Sequence, residues 1–252
     1  MVGVTLPADL RSALDDAAAT PRLLVVSDFD GTLSPIVTDP STARALPAAA
    51  AALTALAALP ETTVALVSGR ALAVLRDLTG ADLPPTVHLV GSHGAEFDAG
   101  FADLVDTELL ARIVAELREI AADLPGVTVE TKPASAALHV RNASAADGER
   151  ALAAARRAAE GWGAHETAGK AVLEFAVVDT DKGAALEALR EQSAATAVVF
   201  LGDDVTDEKA FRRLRDGDVG VKVGPGESLA RYRVDDPDDV AATLDRIAAA
   251  RR

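Results

Sequence analysis

Five short runs constrain the fold more than any other feature of this chain. Leu23 to Ser27, Thr63 to Val67, Val87 to Val90, Val198 to Leu201 and Val219 to Val223 are rich in Val and Leu on both faces. A strand with one solvated face alternates apolar and polar residues. A strand apolar on both faces must be covered twice, as the central strands of a parallel sheet are. Between these runs lie segments of helical period: Pro47 to Leu59, Ala71 to Leu78, Gly183 to Glu191, Asp207 to Leu214 and Asp238 to Ala250. Strands alternating with helices predict an α/β fold, a Rossmann-like doubly wound parallel sheet.

The middle of the chain changes character after Phe97. Glu108 to Leu124 carries apolar residues at helical spacing, and strand-like runs follow at Val127 to Thr131 and Leu138 to Arg141. A further helix is expected over Ala145 to Trp162, then a hairpin-like pair around Ala164 to Ala168 and Val172 to Val177. This pattern predicts a smaller α+β module inserted into the larger fold. The expected division is 1–98 for the first part of the core, 99–179 for the insertion and 180–252 for the rest of the core. The first few residues and the final arginines are the only disordered ends expected.

Composition narrows the function classes. With 252 residues, 49% of them hydrophobic, the chain is long enough to bury a large core without help. The absence of cysteine excludes disulfides and thiolate metal sites. Acidic residues outnumber basic ones 39 to 25, for a net charge of −14, which removes any long-range attraction to nucleic acid or anionic lipid. The N-terminal stretch has acids where a signal peptide needs a cationic start, and no apolar run approaches the ~20 residues of a membrane span. The expectation is a soluble cytoplasmic monomer with a small-molecule partner.

Chemistry concentrates at strand ends. In LLVVSDFDGTLSPI, Asp28 and Asp30 follow the first run, and an extended chain points alternate carboxylates the same way. Gly31 permits a sharp turn, and Thr32 adds a hydroxyl at the sheet edge where open α/β folds bind ligands. A polar turn with both acids capping a helix would explain this segment alone. It does not explain VVFLGDDVTDEKAF, which puts Asp203, Asp204, Asp207 and Glu208 at the end of another run. Converging carboxylates repel by roughly 4 kcal/mol per close pair at an effective dielectric near 20. A divalent cation relieves that repulsion, and an all-oxygen ligand set favours Mg2+ over zinc or copper. A solvated acidic helix start would account for Asp207 and Glu208 only. Ser68, Gly69 and Arg70 follow a third run with a hydroxyl and a flexible amide suited to a phosphoryl oxygen. Lys182, in Asp-Lys-Gly, opens a helix with a cation that can neutralise a nucleophile or phosphate.

The order DxDGT, SGR, DKG, GDDxTDE resembles the motifs of the haloacid dehalogenase-like (HAD) phosphatases. DFDGTLSPI, GSHGAE at Gly91 to Glu96 and GDDVTDE at Gly202 to Glu208 look in particular like the trehalose-6-phosphate phosphatases. The insertion lies between the second and third motifs, where that family carries its cap. The resemblance implies that Asp28 attacks phosphorus and that Asp30 protonates the leaving sugar oxygen and then activates water. It also implies Mg2+ held by the Asp28 carboxylate, the Asp30 carbonyl and Asp203, with Asp204 and Asp207 acting through water. Thr32 and Ser68 would hold phosphoryl oxygens and Lys182 would offset charge. For the sugar it implies Glu130, Lys132, His139, Arg141 and Glu174 in the cap, with His93 and Glu96 beside the hinge. Glu130 and Lys132 also read as a same-face ion pair on an exposed strand. The family's Arg and Pro before the third motif are missing, since Glu174 is followed by Phe175, Ala176, Val177 and Val178; Arg141 is the replacement expected. Sucrose 6-phosphate and mannosyl-phosphoglycerate are the alternative substrates. Closure of the cap is expected about hinges at Phe97 to Gly100 and Val178 to Asp181.

Overall fold

The computed structural model describes residues 6–80, 82–97, 106–169, 171–178 and 180–252. In chain order the elements are α1 (Ala8–Ala18), β1 (Leu23–Ser27), α2 (Pro47–Ala57), β2 (Thr62–Val67), α3 (Leu72–Thr79), β3 (Val87–Gly91) and β4 (Glu96–Phe97). Then come α4 (Thr107–Ala121), β5 (Thr128–Thr131), β6 (Ser135–His139), α5 (Ala145–Ala159), β7 (His165–Gly169) and β8 (Val172–Ala176). The chain closes with α6 (Lys182–Ser193), β9 (Ala197–Gly202), α7 (Glu208–Phe211), β10 (Val219–Val223), β11 (Tyr232–Val234) and α8 (Pro237–Ala250).

All five apolar runs form strands of one seven-stranded sheet, in the order β11-β10-β9-β1-β2-β3-β4. Every pair in it is parallel except β3 with β4. Successive residues serve opposite layers. Leu23 and Val25 pack in one core with Leu10, Leu53 and Leu244 from α1, α2 and α8. Leu24 and Val26 pack in a second core with Leu186 and Leu189 of α6 and Phe211 of α7. This is the doubly wound α/β arrangement that two-faced apolar runs require. Its consequence for function is register: β1 pairs with β9, so Ser27 lies opposite Leu201 and the chain leaves both strands side by side.

The chain divides into two compact units, Met1–Ala99 with Thr180–Arg252, and Gly100–Asp179. The second is an inserted α+β unit with a four-stranded antiparallel sheet, order β5-β6-β8-β7. Its own core joins Ile113 and Leu117 of α4 and Ala151 and Ala155 of α5 to Ala136, Leu138, Leu173 and Phe175 on one sheet face. Trp162 stacks edge-on against Phe175 at 5.0 Å and donates to Glu116 at 3.0 Å. Of the hinges expected at Phe97 to Gly100 and Val178 to Asp181, residues 98–100 and 179 lie outside the described residues. Among the described residues no helix is long and apolar enough to cross a membrane.

Three expectations need correction. The helix expected over Asp207 to Leu214 is only the four residues of α7. The strand expected over Leu138 to Arg141 starts earlier, at Ser135, because pairing on both sides outweighs the weak strand preference of Ser-Ala-Ala. Of the final arginines, Arg251 is anchored rather than loose. Its guanidinium donates to Thr62 Oγ1 at 2.6 Å and to the carbonyls of Ala18, Thr20 and Glu61 at 2.7–2.8 Å.

Candidate active site

The end of β1 delivers Asp28 into the interior, 4% exposed, with its backbone N–H donating to Leu201 of β9 at 2.9 Å. The end of β9 brings Asp203, and the turn before α7 brings Asp207, which is fully buried. One carboxylate oxygen from each of Asp28, Asp203 and Asp207 lies within 4.8 Å of the others. Lys182 enters from the first turn of α6, whose N-cap Asp181 accepts from Ala184 N at 2.9 Å. Its ammonium, 2% exposed, bridges Asp28 Oδ1 at 2.9 Å and Asp207 Oδ1 at 2.8 Å.

Burial dominates the electrostatics. It pushes the Asp28 carboxyl up to about 6, with Lys182 pulling the other way. It also raises Asp207 to about 6, helped by repulsion from Asp28 and opposed by Lys182. Asp203 is raised too, first by burial, while a hydrogen bond with Asp28 pulls it back. Lys182 is held above its ordinary value, since attraction to Asp28 and Asp207 outweighs its burial. Three hard oxygen donors, two buried and one half-buried, that resist ionisation when crowded form a donor set that fits a divalent cation such as Mg2+.

Asp30 stands apart from this cluster. Its two oxygens accept from Arg70 Nε and Nη2, both at 2.6 Å, and Arg70 Nη1 donates to the Pro40 carbonyl at 2.8 Å. Crowding by other carboxylates thus falls on Asp28, Asp203 and Asp207, while Asp30 faces a guanidinium. Arg70 itself is raised by this partner. Asp204 is exposed, its carboxylate accepting from Val205 N at 2.7 Å, and it lines the cavity without joining the cluster. Asp207, expected to act through water or to cap a solvated helix, is instead a member of the cluster. Glu208 turns away, accepting from Ser228 Oγ and Leu229 N at 2.7 Å.

A cavity of about 450 Å3 opens over the acids, and Ser68, Gly69, Arg70 and His93 contribute to its wall. His93 and Ser92 both adopt left-handed backbone, φ 57° and 47°, a rare state for side-chain-bearing residues. They dock on the loop after β2: Ser92 N donates to Arg70 O at 2.7 Å and His93 N to Ser68 O at 2.9 Å. The His93 ring then lies so near Gly69 that a Cβ there would come within 2.4 Å of it. Glu96 accepts from Ser92 Oγ and so braces its own loop, outside the cavity wall. Thr32 is buried beneath the acids and makes one long contact, 3.4 Å, with Asp203 Oδ1.

Gly31 carries φ +79°, and a Cβ on it would lie 2.1 Å from Asp203 Oδ2. Gly31→Ala is therefore expected to displace Asp203 and cut turnover by about 100-fold, read by phosphate release, while far-UV circular dichroism stays unchanged.

The inserted unit carries Glu130, His139 and Glu174 on one sheet face. Glu130 pairs with Ala137, which pairs with Glu174, and His139 lies two residues along β6, so all point away from the unit's apolar core. Glu130 Oε2 meets His139 Nε2 at 2.8 Å; Lys132 Nζ donates to Glu174 Oε1 at 2.9 Å. Ser135, missed in the sequence, donates to the same oxygen at 2.6 Å. The expected ion-pair partner for Glu130 was Lys132; the structure exchanges it for His139. Arg141 lies two residues beyond the end of β6.

Residues 26–238 match the model of a family described as trehalose-phosphatase. The trehalose-phosphate phosphatase of Mycobacterium ulcerans is 36% identical over 93% of this chain and 63% of its own length. That of Mycobacterium avium is 38% identical over 92% and 64% respectively. The chain thus spans about two thirds or less of the curated relatives it matches. Among solved structures, Aspergillus fumigatus trehalose-6-phosphate phosphatase superposes with a TM-score of 0.75 at 27% identity, covering 98% of this chain and 99% of that one.

Proposed function

The chain belongs to the trehalose-phosphatase family, and on that premise we propose that it hydrolyses trehalose 6-phosphate to trehalose and phosphate with Mg2+ as cofactor. The observation that carries this reading is the meeting of Asp28, Asp203 and Asp207 from two neighbouring strand ends around one buried lysine. The Asp28 carboxylate in such a cluster is placed for attack on phosphorus, because chain direction, sheet register and its pairing with Lys182 hold it there before substrate arrives.

In the proposed reaction an Asp28 oxygen bonds to phosphorus as the bond to the sugar oxygen breaks. Asp30 gives that oxygen its proton. Asp30, now ionised, takes a proton from water, whose oxygen attacks phosphorus and releases phosphate with Asp28 restored. Once Asp30 has given its proton, the Arg70 fork fixes the direction of its carboxylate for its work as base. Asp28, the Asp30 carbonyl and Asp203 would hold Mg2+, with Asp207 adjoining and Asp204 at the solvent side. When bound, the ion supplies positive charge that lets an anionic nucleophile approach an anionic ester. Ser68 Oγ, the Gly69 amide, Thr32 and Lys182 are assigned to phosphoryl oxygens, and His93 with the braced Glu96 to the neighbouring hydroxyls. In the inserted unit, Glu130, Lys132, His139, Arg141 and Glu174 are assigned to the sugar, since a neutral disaccharide is held by directional hydrogen bonds rather than net field.

Phosphate release from trehalose 6-phosphate, sucrose 6-phosphate and mannosyl-phosphoglycerate tests the assignment. Trehalose 6-phosphate is expected to lead in kcat/KM by about 100-fold or more, the discrimination a site built for specific hydroxyls provides. Chelation of divalent cations is expected to abolish release and Mg2+ to restore it. A higher kcat/KM with another ester would replace the sugar assignment and leave the phosphatase reading in place.

A further inference from the structure

We infer that Lys222, which belongs to none of the four motifs, is a positioning residue that sets the cation affinity of the acidic cluster by holding the backbone of Asp203. The inference rests on the Mg2+ reading above.

Lys222 lies on β10, in Val-Gly-Val-Lys-Val. Val219, Val221 and Val223 pack into the core beside α1 and α8, so Gly220 and Lys222 point to the other layer. Lys222 pairs in register with Gly202, the residue before Asp203. Its side chain is 5% exposed, and its ammonium donates to the Asp203 carbonyl and, at 2.9 Å, to the Val223 carbonyl. Among the described residues it forms no salt bridge with a carboxylate. An ammonium is costly to bury, and here its burial is offset by two backbone carbonyls and by attraction to the nearby Asp203 carboxylate. What this arrangement achieves is local. It ties the first peptide after β9, whose side chain reaches Asp28, to the neighbouring strand. Gly31 clears room for the Asp203 carboxylate on one side, and Thr32 touches it on another. Lys222 completes the set from the backbone side.

Two roles for such a lysine differ in the sign of their effect. Acting only as a nearby positive charge, it would repel a dication, and its removal would tighten binding. Acting as a clamp, its removal loosens the loop and weakens binding. The experiment is calorimetric titration of the full chain with Mn2+ at pH 8, for the parent, Lys222→Met and Lys222→Gln, each checked for fold by circular dichroism. Lys222→Met is expected to bind Mn2+ about tenfold more weakly, the range seen when groups that orient a metal's ligands are removed. Lys222→Gln keeps a donor on a shorter arm and is expected to lose about threefold. At saturating Mg2+, kcat of both is expected within about threefold of the parent. Unchanged or tighter Mn2+ binding in either folded variant overturns the inference, and if Lys222→Met is not recovered folded, Lys222→Gln decides alone by the same criterion. A parent chain that binds no Mn2+ would instead overturn the cation reading itself.

Discussion

Asp28→Asn is expected to lose at least about 10⁴-fold in kcat and, without divalent cation at pH 8, to melt about 3–8 °C above the parent chain. The loss follows from chemistry, since an amide oxygen neither attacks a phosphate ester nor leaves as a carboxylate. The gain follows from burial. The Asp28 carboxyl titrates near 6 in the folded chain, against an ordinary value of 3.8, because burial outweighs the attraction of Lys182. A group whose folded value is raised binds its proton more tightly in the native state. Stability therefore falls as pH climbs from about 4 to about 6 and stays lower above that. Two units correspond to roughly 3 kcal/mol, reduced in the variant because Lys182 keeps only Asp207 as its partner. Scanning calorimetry at pH 8 and pH 3 checks the sign: the gain should be large at the first and nearly vanish at the second, where Asp28 is protonated in the folded and the unfolded parent alike. A variant that is inactive and no more stable at pH 8 would mean that this carboxylate costs the fold nothing. Added Mg2+ should stabilise the parent more than the variant, closing the gap.

That trade between stability and chemistry was partly legible in the residues. The run at Leu23 to Ser27 coincides with β1, because a chain apolar on both faces has few ways to be satisfied, and the run at Val219 to Val223 coincides with β10. The convergence of Asp28 with Asp203 follows once β1 and β9 are neighbours in a parallel sheet. Other features left no local trace. Arg70 and Asp30 are forty positions apart, and nothing in either segment marks the other as its partner. Nothing in the run around Lys222 marks its partners, which come from the turn after β9 and from its own strand end. In α1, Leu10 and Leu14 stand at helical spacing, yet about three turns with two large apolar residues give a weak periodic signal. β4 and β11 are two and three residues long, too short for any period to register, and exist because a neighbouring strand offers them hydrogen bonds.

The largest loss of stability is expected from Lys182→Met. Its removal leaves the buried carboxylates of Asp28 and Asp207 facing each other without the ammonium that bridges them at 2.9 and 2.8 Å. Breaking a buried charge pair from one side costs about 3–5 kcal/mol, or about 10 °C in a chain of this length. The pH dependence identifies the cause. In the parent, Lys182 is held above its ordinary 10.5, so its contribution is fully present below that value and is lost only as pH rises through the higher folded one. Across pH 4 to 9 its own protonation does not change, so any pH dependence there comes from the acids it faces. In the variant, Asp28 and Asp207 each lose an attraction that had lowered them, and both move further above 6. The stability they withdraw is therefore absent near pH 4 and grows until pH passes their new folded values. Melting temperatures of parent and variant should separate steadily between pH 4 and pH 8. A gap of constant width would point to lost packing by the lysine's methylenes instead. Turnover should fall by about 10³-fold, as for removal of a preorganised donor to developing charge. Adding Asp207→Asn to Lys182→Met removes one of the two unpaired acids. It is expected to recover most of the lost stability and none of the turnover, because the balance of charge in the cluster can be restored by subtraction while the cation beside the phosphoryl group cannot.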